Sequence, residues 1–239
     1  MIKNIIFLFI LFVSINIFGC KCNVQSFGEN FAQNDFVAEI EILKTYNVDF
    51  KNDKENRFYK ADIKILKLYK GKTISTILIR GKVGEIFGPA CEVNIEKGEK
   101  FLVYLNTKSN FGMSSCTPKT YLSDKSIETE RAAIQFMQNH KIAKSDVFYF
   151  YGDYFKKFKN ISVKNKFAVY KIDIDSHSKA KSIIAIQNFD SEKDSEIMDV
   201  IKKKIIFLKD FMTEIKNEEV VLILFFNPET EEVISNFNH

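Results

Sequence analysis

Tryptophan is absent from this 239-residue chain, and proline (3) and glycine (9) are scarce. That rules out a Pro/Gly-rich linker, a collagen-like segment or a low-complexity tract, and no internal repeat is visible. Histidine is also rare: His140, His177 and His239 fall at a helix end, a turn and the C-terminus. There is no H-E-x-x-H and no Cys/His cluster at zinc-ligand spacing. A G-x-S-x-G elbow, a phosphate-binding glycine loop and G-x-G-x-x-G are missing too. The acidic residues alternate along strand-like stretches, which reads as solvated faces rather than as a carboxylate pair for glycoside hydrolysis. The expectation is a non-enzyme with no cofactor and no intrinsic metal. Basic residues number 35 against 31 acidic, interspersed rather than striped. Without a basic stripe to track phosphates, no nucleic-acid partner is expected.

What is present is apolar bulk: 46% of residues are hydrophobic, with 24 Phe and 9 Tyr, enough to bury one sizeable core and two small ones. The chain opens with Lys3, an apolar run from Ile5 to Val13, and a softer stretch ending at Gly19. This is the layout of a cleavable export signal over residues 1–19, and the run is too short for a membrane span. No stretch of 18 apolar residues follows. Cleavage after Gly19 would leave Cys20 with a free α-amine. Ile17-Phe18-Gly19-Cys20 also partly resembles a bacterial lipobox, in which Cys20 would be lipidated, although Phe18 replaces a small residue. The four cysteines Cys20, Cys22, Cys91 and Cys116 are an even set, as two disulfides in an exported chain require, and lipidation would strand one thiol. Parity therefore favours the free amine. The expected location is secreted or periplasmic, with an envelope lipoprotein anchored at Cys20 as the alternative and the membrane involved only in that case.

Strand patterns begin near Phe31. Phe36, Ala38, Ile40 and Ile42 alternate with Val37, Glu39 and Glu41, and Tyr59, Ala61, Ile63 and Ile65 alternate with Lys60, Asp62 and Lys64, each predicting a half-buried strand with one apolar face. Lys70-Gly71 ends the second strand, Thr76–Ile79 forms a third, and Phe101–Leu105 forms a buried strand. Ser126 is placed to cap a helix carrying Glu128 and Glu130 in its first turn and Ile127, Ile134 and Met137 at helical spacing. Five or so short strands and a flanking helix suggest a small, partly closed barrel of the oligonucleotide/oligosaccharide-binding (OB) type over residues 20–140.

A second, small α+β domain is expected over residues 146–239, with the boundary between Lys141 and Asp146. Phe148–Tyr151, Tyr154, Phe155 and Phe158 form an aromatic cluster best read as core. Phe167–Ile174 and Ser182–Phe189 read as strands around the turn Asp175–Lys179, and Ser191 with Asp194 as a capping box. Ile197, Ile201, Ile205, Leu208, Met212 and Ile215 step by three and four, predicting one long amphipathic helix before a strand at Val220–Phe226. This β-β-α-β order resembles the C-terminal domain of TonB-like envelope proteins, on pattern alone. The overall class is mainly β plus α+β.

Cys20-x-Cys22, Asn34-Asp35-Phe36-Val37, Lys67-x-Tyr69-Lys70-Gly71, Ala90-Cys91, Glu99–Val103 and Ser115-Cys116 occur in one order along the chain. Together they resemble the N-terminal module of the tissue inhibitors of metalloproteinases, within the netrin-like group. The resemblance covers residues 20–140. It implies an OB-type barrel and the pairings Cys20–Cys91 and Cys22–Cys116. The family's third disulfide has no counterpart here. It also implies that Cys20 would chelate a target protease's catalytic zinc through its α-amine and carbonyl, while Lys21 would point into the S1′ pocket. Lys21 replaces a usually uncharged residue, so the target pocket would have to be acidic or wet. The two pairings would also serve as plain staples, each long loop contributing about 4–5 kcal/mol in the chain-entropy model. The implied partner is a protein, in the sharpest version a zinc metalloendopeptidase. The alternative is an envelope-anchored adaptor that binds protein or glycan without inhibiting anything.

Overall fold

The structure is a computed structural model that describes residues 22, 27–48, 58–85, 91–108, 112–140, 154–209, 213–214, 216 and 218–235. The expected export signal at residues 1–19, Cys20, Lys21, the expected boundary at 141–146, Phe148–Tyr151, Met212, Ile215 and His239 lie outside the described residues. Within them the chain is mostly β, with two main antiparallel sheets and three helices.

The first sheet holds β1 (Phe36–Asn47), β2 (Phe58–Lys70), β3 (Thr76–Arg80), β4 (Lys100–Leu105) and β5 (Lys119–Tyr121), in the order β3-β2-β1-β4-β5. Its inner face gathers Phe36, Ala38, Ile40, Ala61, Ile79 and Phe101 into one core. β1 departs from the half-buried expectation, because Val37 and Glu39 on its other face are buried as well. Helices α1 (Phe27–Gln33) and α2 (Ile127–Asn139) cover that face. α1 was not anticipated from the sequence.

α2 begins after Ser126, but the Ser126 side chain makes no capping bond. Its backbone is already helical, and its carbonyl accepts the Glu130 N–H at 3.0 Å.

The second sheet has the order β11-β10-β6-β7, from β6 (Phe167–Ile174), β7 (Ala180–Gln187), β10 (Glu219–Asn227) and β11 (Glu232–Ile234). α3 (Asp194–Lys204) covers one face, with Ile197 and Ile201 packed against Tyr170, Ile172 and Leu222. Phe155 and Phe158 belong to this core.

The long helix expected to run on to Ile215 stops at Lys204. Lys202, Lys203 and Lys204 complete its last turn, where cations suit the helix dipole. Ile205 then turns extended, and the Phe207 N–H bonds to the Ser178 carbonyl at 2.8 Å. Ile205 and Phe207, two apart, are both buried, so the core captures the segment as extended chain. β8 (Leu208–Lys209) then pairs with β9 (Thr213–Glu214). Ser191 and Asp194 form half of a capping box. Asp194 Oδ2 accepts the Ser191 N–H at 3.1 Å, while Ser191 Oγ accepts from Lys193 at 3.0 Å, one residue short of the reciprocal bond.

The other face of the second sheet turns toward the first. Val169, Val221, Ile223 and Phe225 share a cluster with α1, α2, Leu102 and Tyr104. Phe27 of α1 makes edge contacts with Tyr104 at 6.2 Å and Phe225 at 4.9 Å, touching both sheets at once.

Candidate functional site at the cysteine edge of the first sheet

β3 leaves one side of its backbone free for a partner that sequence reading did not foresee. Met113 forms a parallel bridge to Ile79: its N–H donates to the Leu78 carbonyl, and its carbonyl accepts the Arg80 N–H, both at 2.7 Å. The approach requires glycine beside it, since a Cβ on Gly112 would sit 2.3 Å from the Leu78 oxygen. On the same strand the Arg80 carbonyl accepts the Val93 N–H at 3.0 Å. β3 thus holds the segment after Cys91 and the segment before Cys116 side by side. The Ser115 N–H closes the join by donating to the Cys91 carbonyl at 3.2 Å.

Cys22 is bonded to Cys116, with Cα atoms 5.1 Å apart across a sequence separation of 94. Cys91 is disulfide-bonded as well, on a backbone at φ 74°. A small turn sets Cys116, in which Ser114 receives the Cys116 N–H on Oγ at 3.2 Å and donates its own N–H to Thr117 Oγ1 at 2.8 Å. Cys22 is solvent-exposed. The Cys20 and Lys21 side chains assigned the chelating and pocket roles lie outside the described residues.

Tyr59 supports this edge from inside. Its hydroxyl donates to the Val93 carbonyl at 3.0 Å and accepts the Ile95 N–H at 2.9 Å, gripping the strand-like run that follows Cys91. Burial pushes its pKa up to about 12, so the hydroxyl stays protonated and keeps donating. Sequence reading placed Tyr59 among the apolar residues of a strand. The phenol at the end of an otherwise aliphatic stripe was the only signal of a polar task.

Tyr69-Lys70-Gly71 and Asn34-Asp35 fix the opposite end of the sheet. Lys70 Nζ donates to the Phe31 and Ala32 carbonyls at 2.7 and 2.9 Å, satisfying the free carbonyls at the end of α1. Gly71 has φ +96°, and a Cβ there would lie 2.4 Å from the Asp35 oxygen. The Tyr69 hydroxyl donates to Glu39, and the Tyr69 carbonyl accepts from Gln138 at 2.7 Å. Asp35 accepts from both the N–H and the hydroxyl of Thr107, at 2.7 and 2.9 Å. Burial works to raise the Asp35 pKa, but the Thr107 bonds and nearby Lys108 outweigh it and hold it low.

Two carboxylates at α2 are buried, which the sequence did not foretell. Glu39, 6% exposed, is held by a fork from Arg131 at 2.8 and 2.7 Å. Burial pulls its pKa upward, but Arg131 and Tyr69 prevail and keep it low. Glu130, 1% exposed, accepts from the Tyr104 hydroxyl at 2.6 Å, while its second oxygen has no partner. Burial, with the charge of Asp124 adding to it, raises its pKa against the opposing bonds of Tyr104 and Thr120.

Among the described residues no group of three or more His, Cys, Asp or Glu is placed to hold a metal. His140 stacks on Phe136 at 3.9 Å, and the His177 N–H donates to Asp175 at 2.8 Å. No protein-family model matches the chain, and no curated protein matches it.

Proposed function

We propose that the chain is an exported, netrin-like binding protein, non-enzymatic, whose sharpest activity is inhibition of a zinc metalloendopeptidase through the mature N-terminus at Cys20. The observation that carries this reading is the exposed Cys22, locked to Cys116 on a segment that is itself hydrogen-bonded to Cys91. An N-terminus entering there is clamped within two residues of its end. The strand order β3-β2-β1-β4-β5, with a parallel bridge from β3 to the run leading into β5, supports an OB-type barrel, in which those strands close on each other.

A free α-amine at Cys20 and the carbonyl of the same residue can close a five-membered chelate on the target's zinc, displacing the water of its open position. The amine titrates near about pH 8, so the metal displaces its proton easily around neutrality. Fixing the ligand before docking removes much of the entropy that docking would otherwise lose. Lys21 would then enter the S1′ pocket, which selects targets with an acidic or wet pocket there.

The test is a panel of zinc endopeptidases assayed with the mature chain and with the same chain carrying one extra Ala before Cys20. The extra residue turns the amine into an amide, a poor ligand, so inhibition is expected only from the unextended form. Equal inhibition by both would place the function elsewhere on the molecule. Inhibition by neither would leave the adaptor reading, in which binding is indifferent to the N-terminus.

A further inference from the structure

α1 has seven residues, too few to hold a helix on their own, yet Phe27, Gly28, Glu29, Asn30 and Phe31 are all buried. Five consecutive positions at about 100° each pass more than once around a helix, so α1 is covered on every side rather than laid along one sheet. Its walls come from both halves of the chain. From the first sheet, Lys70 caps its last carbonyls and Tyr104 meets the Phe27 ring with centres 6.2 Å apart. From the second, Phe225 meets the same ring at 4.9 Å. The aromatic contacts continue from Phe225 to Phe167 at 6.4 Å and from Phe167 to Phe136 of α2 at 5.6 Å, so β6 and β10 brace both helices that lie between the sheets. Only four residues separate Phe27 from Cys22, which is tied to Cys116. A disulfide fixes where a side chain ends, but its rotatable bonds leave the direction of the backbone to whatever holds the flanking chain. On the C-terminal side of Cys22 that is α1.

We propose that the second sheet positions the inhibitory N-terminus, with α1 as the strut: Phe225 seats Phe27, and a seated α1 holds the backbone at Cys22, and with it the chelating end, in one orientation. Phe27 and Phe225 are positioning residues that touch neither the zinc nor the target. The coupling of the second sheet to α1 stands on the contacts themselves, whereas its consequence for inhibition rests on the zinc-chelating reading above. Truncating Phe225 opens a cavity beside Phe27 and lets α1 move. The chelating atoms are unchanged, but a looser end loses more entropy on docking and inhibits less.

The test compares the full mature chain carrying Phe225→Ala with the one carrying Phe207→Ala, which opens the core on the opposite face of the same sheet. Hydrogen exchange of the Phe31, Ala32 and Gln33 amides reads α1, under conditions where exchange proceeds by local opening. Phe225→Ala is expected to speed that exchange by at least about tenfold, and Phe207→Ala to leave it as in the wild type. The inhibition constant against a zinc endopeptidase that the wild type inhibits should follow, rising by about tenfold or more for Phe225→Ala alone. If Phe225→Ala does not fold, Phe225→Leu and Phe207→Leu make the same comparison. Unchanged α1 exchange in the Phe225 variant, or equal acceleration by both variants, overturns the coupling and the proposal with it. Faster exchange with unchanged inhibition overturns the positioning role. A wild type that inhibits no protease removes the inhibitor reading and that role together, while the exchange rates still decide whether the second sheet holds α1.

Discussion

The first sheet is held to its surroundings by individual polar and covalent ties between residues far apart in sequence: Cys22 to Cys116, Arg131 to Glu39, Tyr59 to the run after Cys91, and Tyr104 to Glu130. The second sheet is held by apolar bulk, with Phe189, Phe207, Ile197, Ile201 and Leu222 fully buried around Tyr170. Three of its ion pairs, Lys171–Glu219, Lys164–Asp190 and Lys203–Asp199, lie at the surface, where such pairs add little. Apolar packing is non-directional and tolerates exchange of similar volumes. Directed ties hold particular atoms in place: Cys22–Cys116 and Tyr59 do so at the edge that carries the cysteines, and Arg131–Glu39 and Tyr104–Glu130 under α2.

The largest expected effect comes from removing the covalent tie. Cys22→Ser with Cys116→Ser should lower unfolding stability by about 4–5 kcal/mol, the loop-closure contribution for a loop of this length, measured by urea unfolding. Phe207→Ala in the second sheet should cost about 3–5 kcal/mol. The two are separable. Adding reductant to the wild type, which also opens the disulfide at Cys91, should cost at least the first loss and leave the increment from Phe207→Ala unchanged. An increment that vanished on reduction would mean that the sheets do not differ as described.

Next is Arg131→Met, which leaves Glu39 buried with Tyr69 as its remaining donor, at about 3 kcal/mol. The sign with pH follows from the lowered carboxyl. A Glu39 pKa below its ordinary 4.5 contributes stability above that value and loses it as pH falls through the folded-state pKa. Wild type and variant should therefore converge on acidification, and a gap that stayed constant would contradict the ion-pair account. Tyr59→Phe should follow at about 1–3 kcal/mol, the penalty for leaving the Val93 carbonyl and the Ile95 N–H buried without their partner.

Glu130→Gln should have the smallest effect near pH 4.5 and below, where the native acid is protonated. The raised pKa of Glu130 gives a contribution fully present below 4.5, its ordinary value, and lost as pH rises through the folded-state pKa. The variant should thus gain on the wild type as pH rises, opposite in slope to Arg131→Met. Parallel stability curves for Glu130→Gln and the wild type would show that Glu130 is not held as a neutral acid.

The strands were legible where one signal dominated. Phe167–Ile174 and the buried Phe101–Leu105 run stand out because apolar, β-branched and aromatic residues fill them. α1 was hidden because seven residues are too few to display a helical period, and its Phe27 and Phe31 merge with the strand pattern that starts at Phe36. The break at Ile205 was hidden for the converse reason. Ile197, Ile201 and Ile205 keep a helical step, but Ile205 and Phe207 keep a strand step equally well, and only the core they enter decides between them. At the cysteine edge the sequence supplied the cysteines, but not the support from Tyr59, Gly112 and Met113. The tasks of those three arise from where β3 ends up, which no local pattern encodes. The same holds for Glu39, which alternation marked as solvated, and for Glu130, which was read only as a first-turn acid of its helix; both are buried.

The proposal turns on whether the chain is exported and begins with a free, clamped Cys20, and intact-mass analysis of the protein purified from its native source tests that most directly. The prediction is a polypeptide starting at Cys20 that carries no modification and is lighter than its reduced form by the hydrogens of two disulfides. A species heavier by a lipid group, or one that keeps a thiol open to alkylation before reduction, would contradict a zinc-chelating N-terminus.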